Sequence, residues 1–266
     1  MKGNDMMDHL QIRNYREMAS HFNQFSHHHG LIYSIIENQY EGHLYINHTD
    51  KPKVMIMFTP FDFSFITGIE TLSDAETALS MIKKHASEFP FEEQIFFTDS
   101  DASHAYLSDQ FKKYRAIQTI RYTYKLNHQK FKEIFDNHDF KHIIKTYEQK
   151  DYLSLLPYWI SEVKEAEKSI SYCKAFARGG GYAELDVYTD EEHQQKGYAF
   201  ECALKLIDKL IDNKIEPEWN TWPYRKASQK LAMKLGFEFD TEVKAIVWVK
   251  GECLPLNMDV SKINKD

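Results

Sequence analysis

Cysteine is scarce in this 266-residue chain: Cys173, Cys202 and Cys253 are the three, and no two stand at the spacing of a disulfide framework or a metal knot. An odd, unpaired set suits a reducing compartment, and a cytoplasmic location is expected. Cys202 falls within a helical apolar pattern and reads as a small core residue. Long apolar runs are missing too. No stretch reaches the roughly eighteen residues a membrane helix requires, and the opening MKGNDMMDHL lacks the apolar core of a signal peptide. Nor is positive charge in excess: 33 Lys and Arg against 40 Asp and Glu leave a net charge of -7. That balance speaks against a nucleic-acid partner, which needs a basic face to displace counterions.

Histidine is plentiful, and His27, His28 and His29 stand in a row. Three successive side chains cannot all point at one ion from a regular helix or strand, and no acidic or cysteine ligand follows at a useful spacing. The triplet reads as a polar surface segment, and no metal is expected.

What is present is enough apolar material for a core, 42% hydrophobic and 14% aromatic. The pattern is that of an α/β (α+β) chain. A helix is predicted over about 6–25, followed by β-like runs LIYSII (31–36), HLYI (43–46) and KVMIMF (53–58). A helix over DAETALSMIKKHASEF, a strand QIFFT, a helix over about 103–114 and a strand AIQTIRYTYKL complete the first half. The second half repeats the order: strands SYCKAF and YAELDVYT, helix YAFECALKLIDKLIDNK, strand PEWNTW, helix RKASQKLAMKLG and strand KAIVWVK. A shift of about 124 residues lays helix on helix and strand on strand, with little residue identity. Two domains are expected, 1–128 and 129–266, the second opening on a polar, helical connector.

One stretch carries chemistry. Gln194-Gln195-Lys196-Gly197-Tyr198-Ala199 fits the pattern Gln/Arg-x-x-Gly-x-Gly/Ala between a β-like run and an apolar helix. The first amides of a helix lack intrahelical partners and sit at the positive end of its dipole. Small residues at 197 and 199 let a diphosphate approach that backbone, and Lys196 adds charge. Alone the pattern is weak, since a glycine often marks a strand-to-helix turn. About thirty residues on, ASQKLAMKLGF (227–237) supplies a second feature, a helix ending in Lys-Leu-Gly-Phe with Gly236 at a left-handed closing position.

The two stretches together resemble the acyl-CoA-binding signatures of the GNAT superfamily of N-acetyltransferases. More narrowly, AELDVYTDEEHQQKGYA and the PEWNTW region resemble the branch that includes zwittermicin A resistance acetyltransferases. The resemblance implies tandem GNAT-like halves, each a mixed, mostly antiparallel sheet flanked by helices, the first half degenerate. It implies an N-acetyltransferase that moves an acetyl group from acetyl-CoA to a primary amine of a small molecule. Val187, Tyr188 and Thr189 would line the pantetheine arm, and Gln194 to Ala199 would hold the diphosphate. Asn220 and Ser228 would add polar contacts to the cosubstrate, and Lys196, Arg225 and Lys226 could meet the ribose phosphate.

Glu184 and Asp186, on one side of a regular strand, are the candidates for accepting the amine's proton, with Glu184 ranked first. A bulge there would reverse the facing of the residues beyond it, and the plainer role for either is an ion pair with a neighbouring strand's lysine. Many family members carry a tyrosine four residues before the second glycine to protonate the leaving thiolate; here that position is Ala232, and Tyr224, Tyr198 or water is the candidate substitute. Two other readings stand beside this one: a non-catalytic acyl-CoA-binding module, and a tandem-GNAT aminoacyl transferase using aminoacyl-tRNA, which the acidic balance disfavours. At the 124-residue offset the first half places Glu70, Ser73 and Asp74 where the second has its phosphate loop. Carboxylates there would repel a diphosphate, so the first half is expected to bind no CoA and to help shape the acceptor cleft.

Overall fold

A computed structural model describes residues 8–10, 12–114 and 116–249. In chain order the elements are β1 (Asp8–Leu10), α1 (Ala19–Phe22), α2 (His29–Ile36), β2 (His43–Ile46), β3 (Met55–Phe58), β4 (Phe63–Thr67), α3 (Leu72–Glu88), β5 (Glu93–Thr98), α4 (Asp101–Phe111) and β6 (Ile117–Leu126). They continue as α5 (His128–Asp136), β7 (Lys145–Gln149), β8 (Tyr158–Glu165), β9 (Lys168–Gly179), β10 (Tyr182–Thr189), α6 (Tyr198–Asp212), β11 (Glu216–Thr221), α7 (Lys226–Lys234) and β12 (Phe237–Val249).

The repeated pattern is real in space. Moved on by 124 residues, α3 covers 196–212, over α6 at Tyr198–Asp212. The strands flanking each of these helices, β4 with β5 and β10 with β11, form parallel pairs, and the other described pairings are antiparallel. Each is a strand–helix–strand crossover whose helix covers one face of a sheet. The fold is a mixed, mostly antiparallel sheet flanked by helices.

The chain forms two compact units, divided differently from 1–128 and 129–266. The first takes the residues up to Ser26, Glu41–Arg121 and those from Val243 on; the second takes His27–Tyr40 and Tyr122–Glu242. In the first unit the strand order is β1-β2-β3-β4-β5, with residues 246–249 of β12 beside β5. Its core gathers Ile56, Phe58, Ile66, Phe96 and Phe111 with Ala75, Ala78 and Ile82 of α3. In the second unit the order is β7-β8-β9-β10-β11, with residues 122–124 of β6 beside β11.

Within the second unit, α6 exists because its apolar residues fall on one side. Phe200, Ala203, Leu204, Ile207 and Leu210 are buried against Cys173, Ala175, Leu185 and Trp219 of the sheet. Each such leucine or isoleucine contributes about 1.5–3 kcal/mol by leaving water. Cys202 and Cys173 are buried free thiols, the Cys202 thiol pushed up to about 12 by burial; Cys253 lies outside the described residues.

Several local expectations fail. LIYSII is helical: it forms most of α2, with Leu31, Ile32, Ile35 and Ile36 buried. A short apolar run has no period of its own, and a helix buried around much of its girth looks like a buried strand. The single helix expected over 6–25 is a strand at Asp8–Leu10, a 3-10 stretch at Ile12–Met18 and the short α1. The connector is helical only in α5; β7 and β8 follow it, and Phe131, Phe135 and Phe140 join the second unit's core. Strand β4 was not foreseen. The histidine triplet is no surface segment: His28 is fully buried and His27 nearly so.

A forked strand pair and an open helix start as the candidate active site

Strands β10 and β11 run parallel only at Tyr182, Ala183 and Glu184, opposite Glu216, Pro217 and Glu218. Beyond that β10 continues to Thr189 beside β9, while β11 continues to Thr221 beside β6. The sheet is therefore forked, and residues 185–189 of β10 have a ladder on the β9 side alone among the described pairings. The opening coincides with a bulge: Glu184 pairs with Ala177 and Leu185 with Ala175, leaving Phe176 of β9 as the extra residue. The Tyr40 hydroxyl donates to the Phe176 carbonyl at 2.5 Å. Because the extra residue is on β9, the alternation of β10 is not reversed. Ala183 and Leu185 enter the core beneath α6, and Glu184 and Asp186 take the other face.

Glu184 sits at the apex of the fork with no exposed surface, and Asn220 of β11 donates to its Oε2 at 2.5 Å. Beside it, Glu218 accepts from the backbone amides of His29 and Gly30 at 3.0 and 2.7 Å and faces His29 Nδ1 at 2.8 Å. The start of α2 is thus capped by a carboxylate from a strand, which satisfies orphan helix donors and suits the dipole. Asp186 pairs with Lys174 of β9 at 3.2 Å and is partly exposed. That is the plainer role foreseen for one of the two carboxylates.

At the open end of the fork, Gln194 Nε2 reaches the Thr189 carbonyl at 3.5 Å, and the chain turns through Gln195 at φ +62° and Gly197 at φ +93° into α6. Any L side chain at Gly197 would be strained, although a Cβ there would meet only His142 Cε1, at 3.9 Å. The N-cap residue of α6 is Gly197, which has no side chain to cap the helix, and Gln195, Lys196 and Gly197 are exposed. Val187, Tyr188 and Thr189 lie on the unzipped part of β10, with Tyr188 stacked on Tyr172 at 5.4 Å. The structure therefore brings Val187–Thr189, Gln194–Ala199, Glu184 and Asn220 around one fork.

Ser228 and Tyr224 stand at the start of α7. Ser228 Oγ accepts from Trp219 Nε1 at 3.1 Å, a contact within the unit that uses one of its lone pairs and leaves its O–H to donate. Ala232 is fully buried in the core, so the absent tyrosine has no room at its usual position. Gly236 is left-handed at φ +95°, as the sequence predicted, and a Cβ there would press on the Phe131 amide nitrogen at 3.0 Å.

Glu201 escaped the sequence reading. It lies in the first turn of α6, buried, and accepts from His138 Nε2 (3.0 Å), the amides of Lys141 (3.0 Å) and His142 (3.1 Å), and His142 Nδ1 (2.9 Å). Burial pushes its pKa up, but these donors outweigh burial and hold the carboxyl below its ordinary range. Its partners are about sixty residues earlier in the chain, so no local pattern marks it.

The corresponding place in the first unit is closed twice over. Strands β4 and β5 stay paired from Phe63 to Ile66, opposite Ile95 to Thr98, so there is no fork. The start of α3 is filled by its own capping box: Asp74 Oδ2 accepts from the Glu70 and Thr71 amides and the Thr71 hydroxyl at 3.1, 2.9 and 2.8 Å, and pairs with Lys53 at 2.8 Å. Among the described residues no group of His, Cys, Asp and Glu is arranged to hold a metal, and no helix is long and apolar enough to cross a membrane.

Residues 161–246 match the GNAT acetyltransferase family model. A segment of 73 residues is 37% identical to the uncharacterized N-acetyltransferase YdfB of Bacillus subtilis (strain 168), covering 27% of this chain and 28% of that protein. A GCN5-related N-acetyltransferase-like protein from Streptococcus suis 89/1591 superposes with a TM-score of 0.63 at 16% identity, over 89% of this chain and 98% of that one. A tandem GNAT protein from the clavulanic acid biosynthesis pathway gives 0.62 at 7% identity, over 93% and 99%. At such identities the two solved structures speak to the fold alone. The chain has the GNAT fold, and its residues 161–246, which hold the fork and the open helix start, carry the pattern of the GNAT acetyltransferase family.

Proposed function

We propose that this protein is an N-acetyltransferase that transfers the acetyl group of acetyl-CoA to a primary amine of a small molecule by direct attack. The observation that carries the reading is the fork with a glycine-started helix at its open end, present in the second unit, where the first has a closed strand pair and a capping box. The residues fit the group: β10 leaves an unzipped edge for an extended arm, Gly197 leaves room for phosphate, and the amides of 196–199 end in the positive pole of α6. Bound acetyl-CoA supplies an activated acetyl group and a good thiolate leaving group.

The chain's own residues do the rest. Lys196 and the loop amides hold the diphosphate, with Arg225 and Lys226 at the start of α7 available to the ribose phosphate. Val187, Tyr188 and Thr189 fix the arm through their backbone, and an amide there polarises the acyl carbonyl. Glu184, oriented by Asn220, takes the proton that the ammonium form of the acceptor must lose, directly or through one water. Asp186 is held by Lys174 and stands in reserve. Tyr224 or solvent protonates the departing thiolate. The narrower resemblance to the zwittermicin A resistance branch fits an antibiotic or metabolite amine as acceptor. The buried Ala232 favours a second reading, a module that binds acyl-CoA without turnover.

Thiol release from acetyl-CoA across a panel of primary amines tests the proposal. Amine-dependent release is the expected result. Binding of CoA with no release for any amine would favour the second reading, and no binding at millimolar CoA would refute both.

A further inference from the structure

His142 belongs to the segment between α5 and β7, outside the residues that match the family pattern. Its placement is nevertheless tied to the phosphate loop. Glu201 takes the backbone amides of Lys141 and His142 together with the two imidazoles of His138 and His142, which fastens this segment to the first turn of α6. The His142 ring lies 4.1 Å from that of Tyr198, the first residue of the helix. Its Cε1, the carbon between the two ring nitrogens, would stand 3.9 Å from a Cβ on Gly197, and apart from the glycine's own chain neighbours it is the one atom of the described residues within 4 Å.

The charges are consistent with a bound anion. A bare carboxylate in the first turn of α6 would oppose a diphosphate at the same helix end, but Glu201 spends its acceptors on four donors and faces two histidines. On the other side of the His142 ring, Tyr198 lies against it and also meets the ring of His193 in the loop at 5.9 Å, and His193 Nε2 in turn faces Glu165 at 3.4 Å. With Nδ1–H committed to Glu201, the second ring nitrogen is left for the loop side.

We infer that His142 is a diphosphate-binding residue, held by Glu201 so that its imidazolium donates Nδ1–H to the carboxylate and Nε2–H to the diphosphate of CoA at the start of α6. This rests on the CoA reading above. Glu201 is then a positioning residue, and the segment after α5 is part of the cosubstrate site.

The test is calorimetric. His142→Ala and His142→Phe are titrated with CoA and with 3′-dephospho-CoA, and turnover is followed with S-acetylpantetheine, which has no diphosphate. The Phe variant keeps the packing on Tyr198 and removes both nitrogens, so it reads the contact even if the Ala variant does not fold. Loss of one charge-assisted bond predicts about tenfold weaker binding of both CoA and dephospho-CoA, with kcat/KM for S-acetylpantetheine unchanged. Affinities within twofold of wild type, or an equal loss with S-acetylpantetheine, would overturn the assignment. A wild-type protein that binds no CoA fails earlier, at the reading on which this one rests.

Discussion

Replacing Gly197 by Asp and by Ala separates backbone strain from charge at the phosphate loop. Both residues are strained at φ +93°, Ala by about 1–2 kcal/mol and Asp by somewhat less, because its short polar side chain tolerates left-handed backbone better. Neither meets a steric wall, because the nearest atom to the new Cβ is His142 Cε1 at 3.9 Å. For a chain of this size such a cost lowers Tm by only a few degrees. Asp should even recover part of it, since a carboxylate at a helix start contributes about 0.5–1 kcal/mol. The effect on CoA is larger. A carboxylate about 5 Å from a diphosphate, at an effective dielectric near 40 for a half-exposed site, opposes each unit of charge by about 1.7 kcal/mol. Two units give about 3 kcal/mol, or roughly a hundredfold in Kd. The expected order by calorimetry is wild type, then Ala within about tenfold, then Asp at least a hundredfold weaker than Ala. Asp is expected to melt at or above Ala. An Asp variant that binds CoA within tenfold of Ala would refute the placement of the diphosphate.

Three further outcomes rest on the geometry. Glu184→Gln should lower kcat by about 10²- to 10⁴-fold while leaving the Kd for CoA unchanged, because the residue faces away from α6 and acts on the acceptor's proton; a fall below threefold in steady-state assays would remove it as the base. Glu201, whose folded pKa lies below its ordinary 4.5, lends stability in full above that value and loses it as pH falls through the lower folded value. In protein ¹⁵N-labelled at Lys and His, the Lys141 and His142 amide resonances should shift with a midpoint below 4.5, and a midpoint at or above it contradicts the assigned donors. A chain cut to residues 130–266 should neither melt cooperatively nor bind CoA, whereas a folded, active product would show α2 to be dispensable.

The sequence made the chemistry legible where it is local. Gln194 to Ala199, the amphipathic α6 and the Gly236 turn are contiguous, and each names its own conformation through a glycine, a period or a cap. The equivalence of α3 and α6 was legible for the same reason, as spacing outlasts residue identity. The features that escaped depend on partners distant in sequence. LIYSII became α2 because Glu218, nearly two hundred residues later, receives its first amides. Glu201 looked like any polar residue of an amphipathic helix until His138, Lys141 and His142 were seen to converge on it. A bulge within β10 would have reversed the facing of the residues beyond it, but the extra residue falls on the neighbouring strand at Phe176, so Glu184 and Asp186 keep the shared face that simple alternation assigns.

That dependence bears on which residues the site requires. Removing α2 would leave Glu218 a shielded carboxylate without the two amides and the imidazole it now faces, each charge-assisted contact being a matter of about 1.5–3 kcal/mol. It would also return Leu31, Ile32, Ile35 and Ile36 to water, at about 1.5–3 kcal/mol each. The gross sum is about 10–20 kcal/mol, and even after the ordering entropy of an eight-residue helix is set against it the loss is large beside the few kcal/mol of net stability of an ordinary domain. Residues 161–246 carry the family's pattern, yet the strand apex on which Glu184 sits is built with a helix from residues 29–36 and a hydroxyl from Tyr40. The smallest piece of this chain able to hold the fork therefore has to include residues from both of its sequence halves.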